Sequence, residues 1–174
     1  GTLSEPVQSH TRTNLFVLNL DKREPAKNIT AKYDWDIGGG IIGDMGVPRA
    51  GGESRPLWST DGTSIVVAVG KEGRANLERF DLSTGAISDV TRGDQAVMQY
   101  AAAGGTLVTN VSNALELNAL VAVAGDGTQK RLTRINDQQF AEFALTPPQD
   151  IWYRSFDGRK IHALVQLPPD FNAK

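Results

Sequence analysis

Apolar and polar positions alternate along this chain in short runs, and the runs recur. Ile65-Val66-Val67-Ala68-Val69 is a β-branched stretch that follows the turn Ser59-Thr60-Asp61-Gly62. A loop, Gly70–Arg74, leads to Asn76-Leu77-Glu78-Arg79-Phe80-Asp81-Leu82, which alternates in the manner of a half-buried strand. Ser83-Thr84-Gly85 then turns the chain into a short outer strand, Ala86–Thr91. Asp61-Gly62 and Thr84-Gly85 supply the positive-φ positions that tight hairpins need. The same order returns as Gly104-Gly105, Leu107–Val111, Asn118–Ala124, Asp126-Gly127 and Gln129–Thr133.

Residues 57–98 and 99–140 are therefore two copies of one unit, in register at an offset of 42 with no gap. Trp58 falls on Tyr100, Asn76 on Asn118, Gly85 on Gly127, and Thr91-Arg92 on Thr133-Arg134. A repeat of about 40–45 residues made of short strands has the length of one four-stranded propeller blade. An earlier partial copy spans residues 14–37. It runs through Asn14-Leu15-Phe16-Val17-Leu18-Asn19-Leu20-Asp21 and closes at Asn28-Ile29-Thr30, and its offset is 62 because a loop is inserted after Ile37.

That insertion, residues 38–56, holds seven Gly and two Pro and excludes a regular element. Few apolar anchors hold it, so it is expected to be the most mobile internal segment. Gly38-Gly39-Gly40-Ile41-Ile42-Gly43 matches G-x-G-x-x-G, but the dinucleotide motif must open a helix. Gly46 and Pro48 forbid one here. The tail reads differently: Pro147-Pro148, then Asp150–Phe156 and Arg159–Leu167 as two strands across Asp157-Gly158, closed by Pro168-Pro169. The fold expected is all-β, a partial β-propeller of about three four-stranded blades. Residues 1–146 form the blades and residues 147–174 an exit hairpin with the start of a linker.

Composition narrows the function. The 174 residues carry 18 basic and 20 acidic side chains, a net charge of −2 without a basic cluster, which argues against a nucleic-acid or anionic-membrane surface. There is no cysteine, hence no disulfide, thiolate metal site or cysteine nucleophile; cytoplasm and periplasm both remain open. The apolar runs are strand-sized, below the ~18 residues of a membrane span. Gly1-Thr2-Leu3-Ser4-Glu5-Pro6 is no signal peptide, and an N-terminal Gly without Met reads as a tag-cleavage scar with the natural start upstream.

The motifs W-S-x-D-G-x-x-I-V (Trp58–Val66) and N-L-x-x-x-D-L-x-T-G-x-x-x-x-V-T (Asn76–Thr91) resemble the propellers of the prolyl oligopeptidase family of serine peptidases. Ser155-Phe156-Asp157-Gly158-Arg159-Lys160-Ile161-His162-Ala163-Leu164, with Leu167-Pro168-Pro169-Asp170-Phe171, is similar to the stretch where acylaminoacyl-peptidase and dipeptidyl-peptidase members leave the propeller for their α/β-hydrolase domain. The resemblance covers the chain from about residue 14. It implies a parent enzyme that hydrolyses peptides with a Ser-Asp-His triad, the propeller shaping or gating the substrate cavity. The partners implied are that catalytic domain and peptide substrates. The other reading is a binding module like the propeller of the Tol-Pal system, but such a module has no reason to append Ser155–Phe171.

No catalytic, cofactor-binding or metal-ligating residue is assigned. G-x-S-x-G is absent from the sequence, and Gly52-Glu53-Ser54-Arg55-Pro56 fails at its last position. A serine nucleophile needs a histidine base oriented by a carboxylate. Of the two histidines, His10 lies in the N-terminal lead, and His162 reads as a hairpin strand residue facing solvent or a further domain. Asp34 and Asp36 share a strand face but lack a calcium-loop pattern. Glu116 and Glu142 lie in no motif that ties them to the acidic residues with which some family members hold a substrate's amino terminus. Asn28 and Asn110 fit glycosylation sequons yet read as turn and strand residues. Trp58 and Tyr100, at equivalent repeat positions, read as blade core. An open arc of blades exposes apolar end faces and strand edges, so self-association as a symmetric dimer is expected.

Overall fold

The computed structural model describes residues 6, 8, 11–38, 41 and 54–172. Almost every element is a strand. In chain order they are β1 (Phe16–Val17), β2 (Lys27–Asn28), β3 (Asp36–Ile37), β4 (Leu57–Trp58), β5 (Ser64–Lys71), β6 (Arg74–Asp81) and β7 (Ile87–Asp89). There follow β8 (Ala96–Ala103), β9 (Thr106–Asn113), β10 (Glu116–Val123), β11 (Gln129–Arg131), one helical turn α1 (Asp137–Phe140), β12 (Gln149–Arg154) and β13 (Lys160–Val165).

The strands form two antiparallel four-stranded units. In the first, β3 and β4 lie end to end along β5 as two pieces of one strand, followed by β6 and β7; in the second, β8, β9, β10 and β11 follow in order. A single parallel bridge, Ala75 to Ala96, joins the units. Ahead of them β1 and β2 form a two-stranded ribbon, and β12 with β13 forms another after them. None of these sheets closes on itself.

One hydrogen-bond pattern marks the outer strands three times. The Leu15 N–H donates to Thr30 Oγ1 at 2.9 Å, Leu77 N–H to Thr91 Oγ1 at 2.8 Å, and Leu120 N–H to Thr133 Oγ1 at 2.9 Å. Each leucine carbonyl accepts the N–H of the residue before that threonine: Ile29 at 2.9 Å, Val90 at 2.8 Å and Leu132 at 2.7 Å. β1–β2 thus carries the outer-strand hydrogen bonds of the two units.

The insertion lies inside the innermost strand, not between repeats. Ile37 sits opposite Val69, and the Gly38 N–H extends that ladder to the Ala68 carbonyl at 2.7 Å. An unbroken strand would place residue 40 opposite Val66, but Leu57 stands there, so 17 residues are inserted in mid-strand. The mobility expected of residues 38–56 falls mostly outside the described residues. Where the chain returns, Ser54 Oγ accepts the Tyr100 N–H at 2.9 Å.

The repeat is gap-free in sequence but not in register. β4 and β5 are joined through Ser59–Ser64, whereas Ala103 and Thr106 bracket a two-residue turn, Gly104-Gly105, both at positive φ. Trp58 therefore pairs with Ile65, but Tyr100 pairs with Thr109, two positions deeper. This corrects the equivalence drawn from the sequence: the ladder counterpart of Trp58 is Ala102, opposite Leu107, and both sit beside their turns. Tyr100 is 9% exposed and Trp58 55%, so only the tyrosine is core. Bulges between Val97 and Gln99, and between Glu116 and Ala119, take up the slack.

Two apolar layers result. Leu15, Ile37, Ile65, Val67, Val69 and Phe80 pack between the β1–β2 ribbon and the first unit, with Val17, Ile29, Tyr33 and Trp35 against them. Tyr33 meets Phe80 edge-on at 5.4 Å and donates its hydroxyl to the buried Glu78 carboxylate; burial, then that carboxylate, pushes the phenol pKa up. The second layer joins the two units through Ala68, Leu77, Val97, Tyr100, Val111 and Val121.

Candidate functional site

The β5–β6 and β9–β10 turns and the β7–β8 connection lie at one end of the units, and the β12–β13 hairpin docks there. Glu72 and Gly73, both at positive φ, make the tight turn that aims Arg74 outward. Arg74 Nε donates to Asp94 Oδ1 at 2.6 Å, while its two terminal nitrogens reach Asp150 Oδ1 at 3.0 Å and Oδ2 at 2.6 Å. Such a bidentate pair fixes direction as well as distance.

Asp150 also accepts His162 Nε2 at 2.6 Å. Trp152, directly opposite His162 on the hairpin, stacks on the imidazole at 4.4 Å, and Lys160 Nζ lies 3.8 Å over the indole. The Arg74 hydrogen bonds, followed by that of His162, hold the Asp150 carboxyl at about 2, and the Arg74 guanidinium is raised in turn by Asp150 and Asp94. The hairpin's own ends are tied too: Thr146 Oγ1 donates to the Leu167 carbonyl at 2.5 Å and Gln166 Nε2 to the Thr146 carbonyl at 2.9 Å.

His162, expected to face solvent or a further domain, contacts Asp150 and Trp152. Its side chain is 15% exposed, because the hairpin turns that face onto the β5–β6 turn. It is paired with a carboxylate, as a catalytic histidine would be, but that carboxylate is already committed to Arg74, which makes the group a clamp.

Between the clamp and the second unit lies a cleft of ≈ 900 Å³. Its polar wall is Glu116, Arg131, Asn136 and Asp137. Arg131 contacts both Glu116 and Asp137, and Asn136 Nδ2 donates to the Leu117 carbonyl at 2.7 Å. The Glu116 contact lacks hydrogen-bond alignment, leaving Glu116 Oε1 and Arg131 Nε buried without hydrogen-bond partners. Phe140, Leu164 and Pro147-Pro148 make the apolar side.

The remaining candidates disperse. Glu142 is exposed in the turn that follows α1. Asp34 pairs with Arg12, and Asp36 Oδ1 accepts the Thr13 N–H at 2.9 Å. Asn28 Oδ1 accepts the Thr30 N–H at 3.0 Å, and Asn110 lies within β9. His10 lies outside the described residues, as does most of the G-x-G-x-x-G stretch. Among the described residues no cluster of His, Asp and Glu is placed to hold a metal ion, and no helix is long and apolar enough to cross a membrane. The Arg74–Asp150–His162 clamp escaped sequence reading, because Arg74 and Asp150 stand 76 positions apart and belong to no shared motif.

The nearly all-β chain is consistent with a propeller-domain segment, the kind found in peptidases of the prolyl oligopeptidase family. Acylaminoacyl peptidase of Pyrococcus horikoshii superposes with a TM-score of 0.62 at 16% identity, over 88% of this chain and 20% of its own. An acylaminoacyl peptidase in complex with Z-Gly-Gly-Phe-chloromethyl ketone gives 0.57 at 16% identity, over 80% and 19%. The β-propeller domain of the Trilobed protease from Pyrococcus furiosus, described as having an open velcro topology, gives 0.50 at 21% identity, over 72% and 33%. At such identities the likeness is one of fold. The chain spans about a fifth of the length of the acylaminoacyl peptidases it matches. No protein-family model matches the chain, and no curated protein matches it significantly.

Proposed function

We propose that this chain is a non-catalytic propeller segment of a serine peptidase, with residues 1–146 as blades and residues 147–174 as the exit toward an α/β-hydrolase domain. About three blades are present, the first through its outer strands only. The segment shapes the substrate cavity of the parent, which hydrolyses peptides. Its partners are the catalytic domain and the peptide that enters between them.

The observation that carries the reading is the docked hairpin. Ile151, Trp152, Tyr153, Phe156 and Phe171 are all exposed on or beside it, an apolar concentration that a free two-stranded ribbon does not support in water. Arg74 and Asp150 hold this surface at the cleft end of the units, where a second domain would cover both.

The test is covalent. The 174-residue chain is expected to stay unlabelled by a fluorophosphonate probe and inert toward aminoacyl and dipeptidyl chromogenic substrates. The ~150 residues encoded downstream, a domain's length, are expected to hold G-x-S-x-G on a strand-turn-helix whose serine labels. Labelling of any serine within residues 1–174, or a downstream stretch without such an elbow, contradicts the proposal.

A further inference from the structure

Glu78 places a carboxylate in an apolar layer. The β1–β2 ribbon and the residues after it close this end of the first unit over Ile65, Val67, Val69 and Phe80. Glu78 is 6% exposed there, on the face of β6 that also carries Phe80, with Val67 opposite it on β5. The shared outer-strand hydrogen bonds make Leu15, Leu77 and Leu120 equivalent, so the residues that follow them, Phe16, Glu78 and Val121, hold one position of the repeat. The other two are apolar, and Val121 is buried in the second layer. The repeat itself therefore does not call for an acid at this position.

The partner of Glu78 comes from across the seam. Tyr33, three residues past Thr30, packs edge-on against Phe80 and donates its hydroxyl to Glu78 Oε2. Three residues past Thr91 stands Asp94, which pairs with Arg74, so the seam between the two units has no such bond. The neighbouring charges are engaged elsewhere. Asp89, opposite Glu78 on β7, pairs with Arg92; Asp34 pairs with Arg12, and Asp36 accepts the Thr13 N–H. Lys71 lies over the Trp35 ring at 5.4 Å, Arg79 is exposed on the opposite face of β6, and Lys27 and Lys32 are exposed. Among the described residues no cation pairs with Glu78. An ionised carboxylate without a donor is costly in such a layer, and the protonated acid far less so.

We infer that the Tyr33–Glu78 pair makes this seam pH-dependent and selective: an ionised Glu78 admits only a neighbour that brings it a hydroxyl, and a protonated Glu78 lifts that demand. The donor keeps its proton throughout, because burial and the carboxylate push the Tyr33 phenol up from its ordinary value. A polar requirement met at one seam and missing from the next sets which repeat lies beside which.

Denaturant melts of the intact chain at about pH 8 and about pH 4.5, above and near the ordinary glutamate value, test this. Tyr33→Phe keeps the ring on Phe80 and removes only the donor, so at the higher pH it should lower the folding constant at least about tenfold. Losing the donor favours the protonated form in the folded chain, so the loss should shrink to about threefold or less at the lower pH. In a Glu78→Gln background the effect of Tyr33→Phe should be the same at both. If Tyr33→Phe does not fold at the higher pH, its native circular dichroism should return at the lower one. A Tyr33→Phe loss that does not change with pH, or changes as much in the Glu78→Gln background, overturns the inference, as does a variant unfolded at both.

Discussion

The two four-stranded units share their strand order and the hydrogen bonds of their outer strands, yet they finish differently. Leu77 and Leu120 make the same bonds: N–H to a threonine hydroxyl, carbonyl to the residue before it. Leu77 is nonetheless fully enclosed while Leu120 is 40% exposed. Backbone pattern here is local, set by one unit's own strands and turns. Burial is supplied by the neighbour. In a stack of repeats the energy of a unit therefore lies largely in the face it shares, and an end unit keeps its shape while lacking half its apolar stabilisation.

Breaking that comparison is simplest at the leucines. Leu77→Ala is expected to destabilise by about 2–5 kcal/mol, the cost of a cavity in a sealed layer. Leu120→Ala, measured at a concentration where the chain is monomeric, should cost less than about 1 kcal/mol, in line with a partly exposed site. Denaturant melts of the two variants check this; equal losses would mean that the second face is covered after all.

The threonines sharpen it further. Thr91 is fully buried, and Thr91→Val strands the Leu77 N–H, a loss of about 1–3 kcal/mol. Thr133→Val should cost a fraction of that, because water can reach the Leu120 N–H from the open side. Thr30→Val, under the closed end, is expected to behave like Thr91→Val.

A smaller effect concerns pH and the clamp. The Asp150 pKa is lowered to about 2 by Arg74 and then His162, below the ordinary carboxylate value near 3.9. Its contribution is therefore present above about pH 4 and is lost as pH falls toward 2. Asp61 and Asp81 share that window through their turn hydroxyls, so the wild type alone does not isolate the clamp. The Trp152 indole resonance should shift between pH 4 and 2 in the wild type and stay put in Asp150→Asn. A shift retained in that variant would sever Asp150 from the hairpin's position.

Much of this was legible in the sequence, because Gly62, Gly85, Gly104 and Asp126-Gly127 mark turns whose geometry only a few residues accept. Leu15 and Thr30 of the partial copy carry the same hydrogen bond as Leu77 and Thr91. What was not legible depends on pairing across the ladder. The two-residue difference between the Ser59–Ser64 and Gly104-Gly105 turns slides Trp58 out of the Tyr100 position, and a gap-free alignment conceals it. The 17-residue insertion likewise reads as a spacer until Ile37 and Leu57 are seen on one partner strand. The clamp joins a turn to a hairpin, and His162 acquires its carboxylate and its tryptophan from the opposite strand.

Amide hydrogen exchange at Leu77 and Leu120 tests most directly the claim that like units differ only by the presence of a neighbour. Both amides donate to a threonine hydroxyl, so bonding alone predicts equal protection. Under dilute, monomeric conditions the Leu77 amide should exchange only through global unfolding, and the Leu120 amide through local opening at a much faster rate. Equal protection of the two amides would contradict the account.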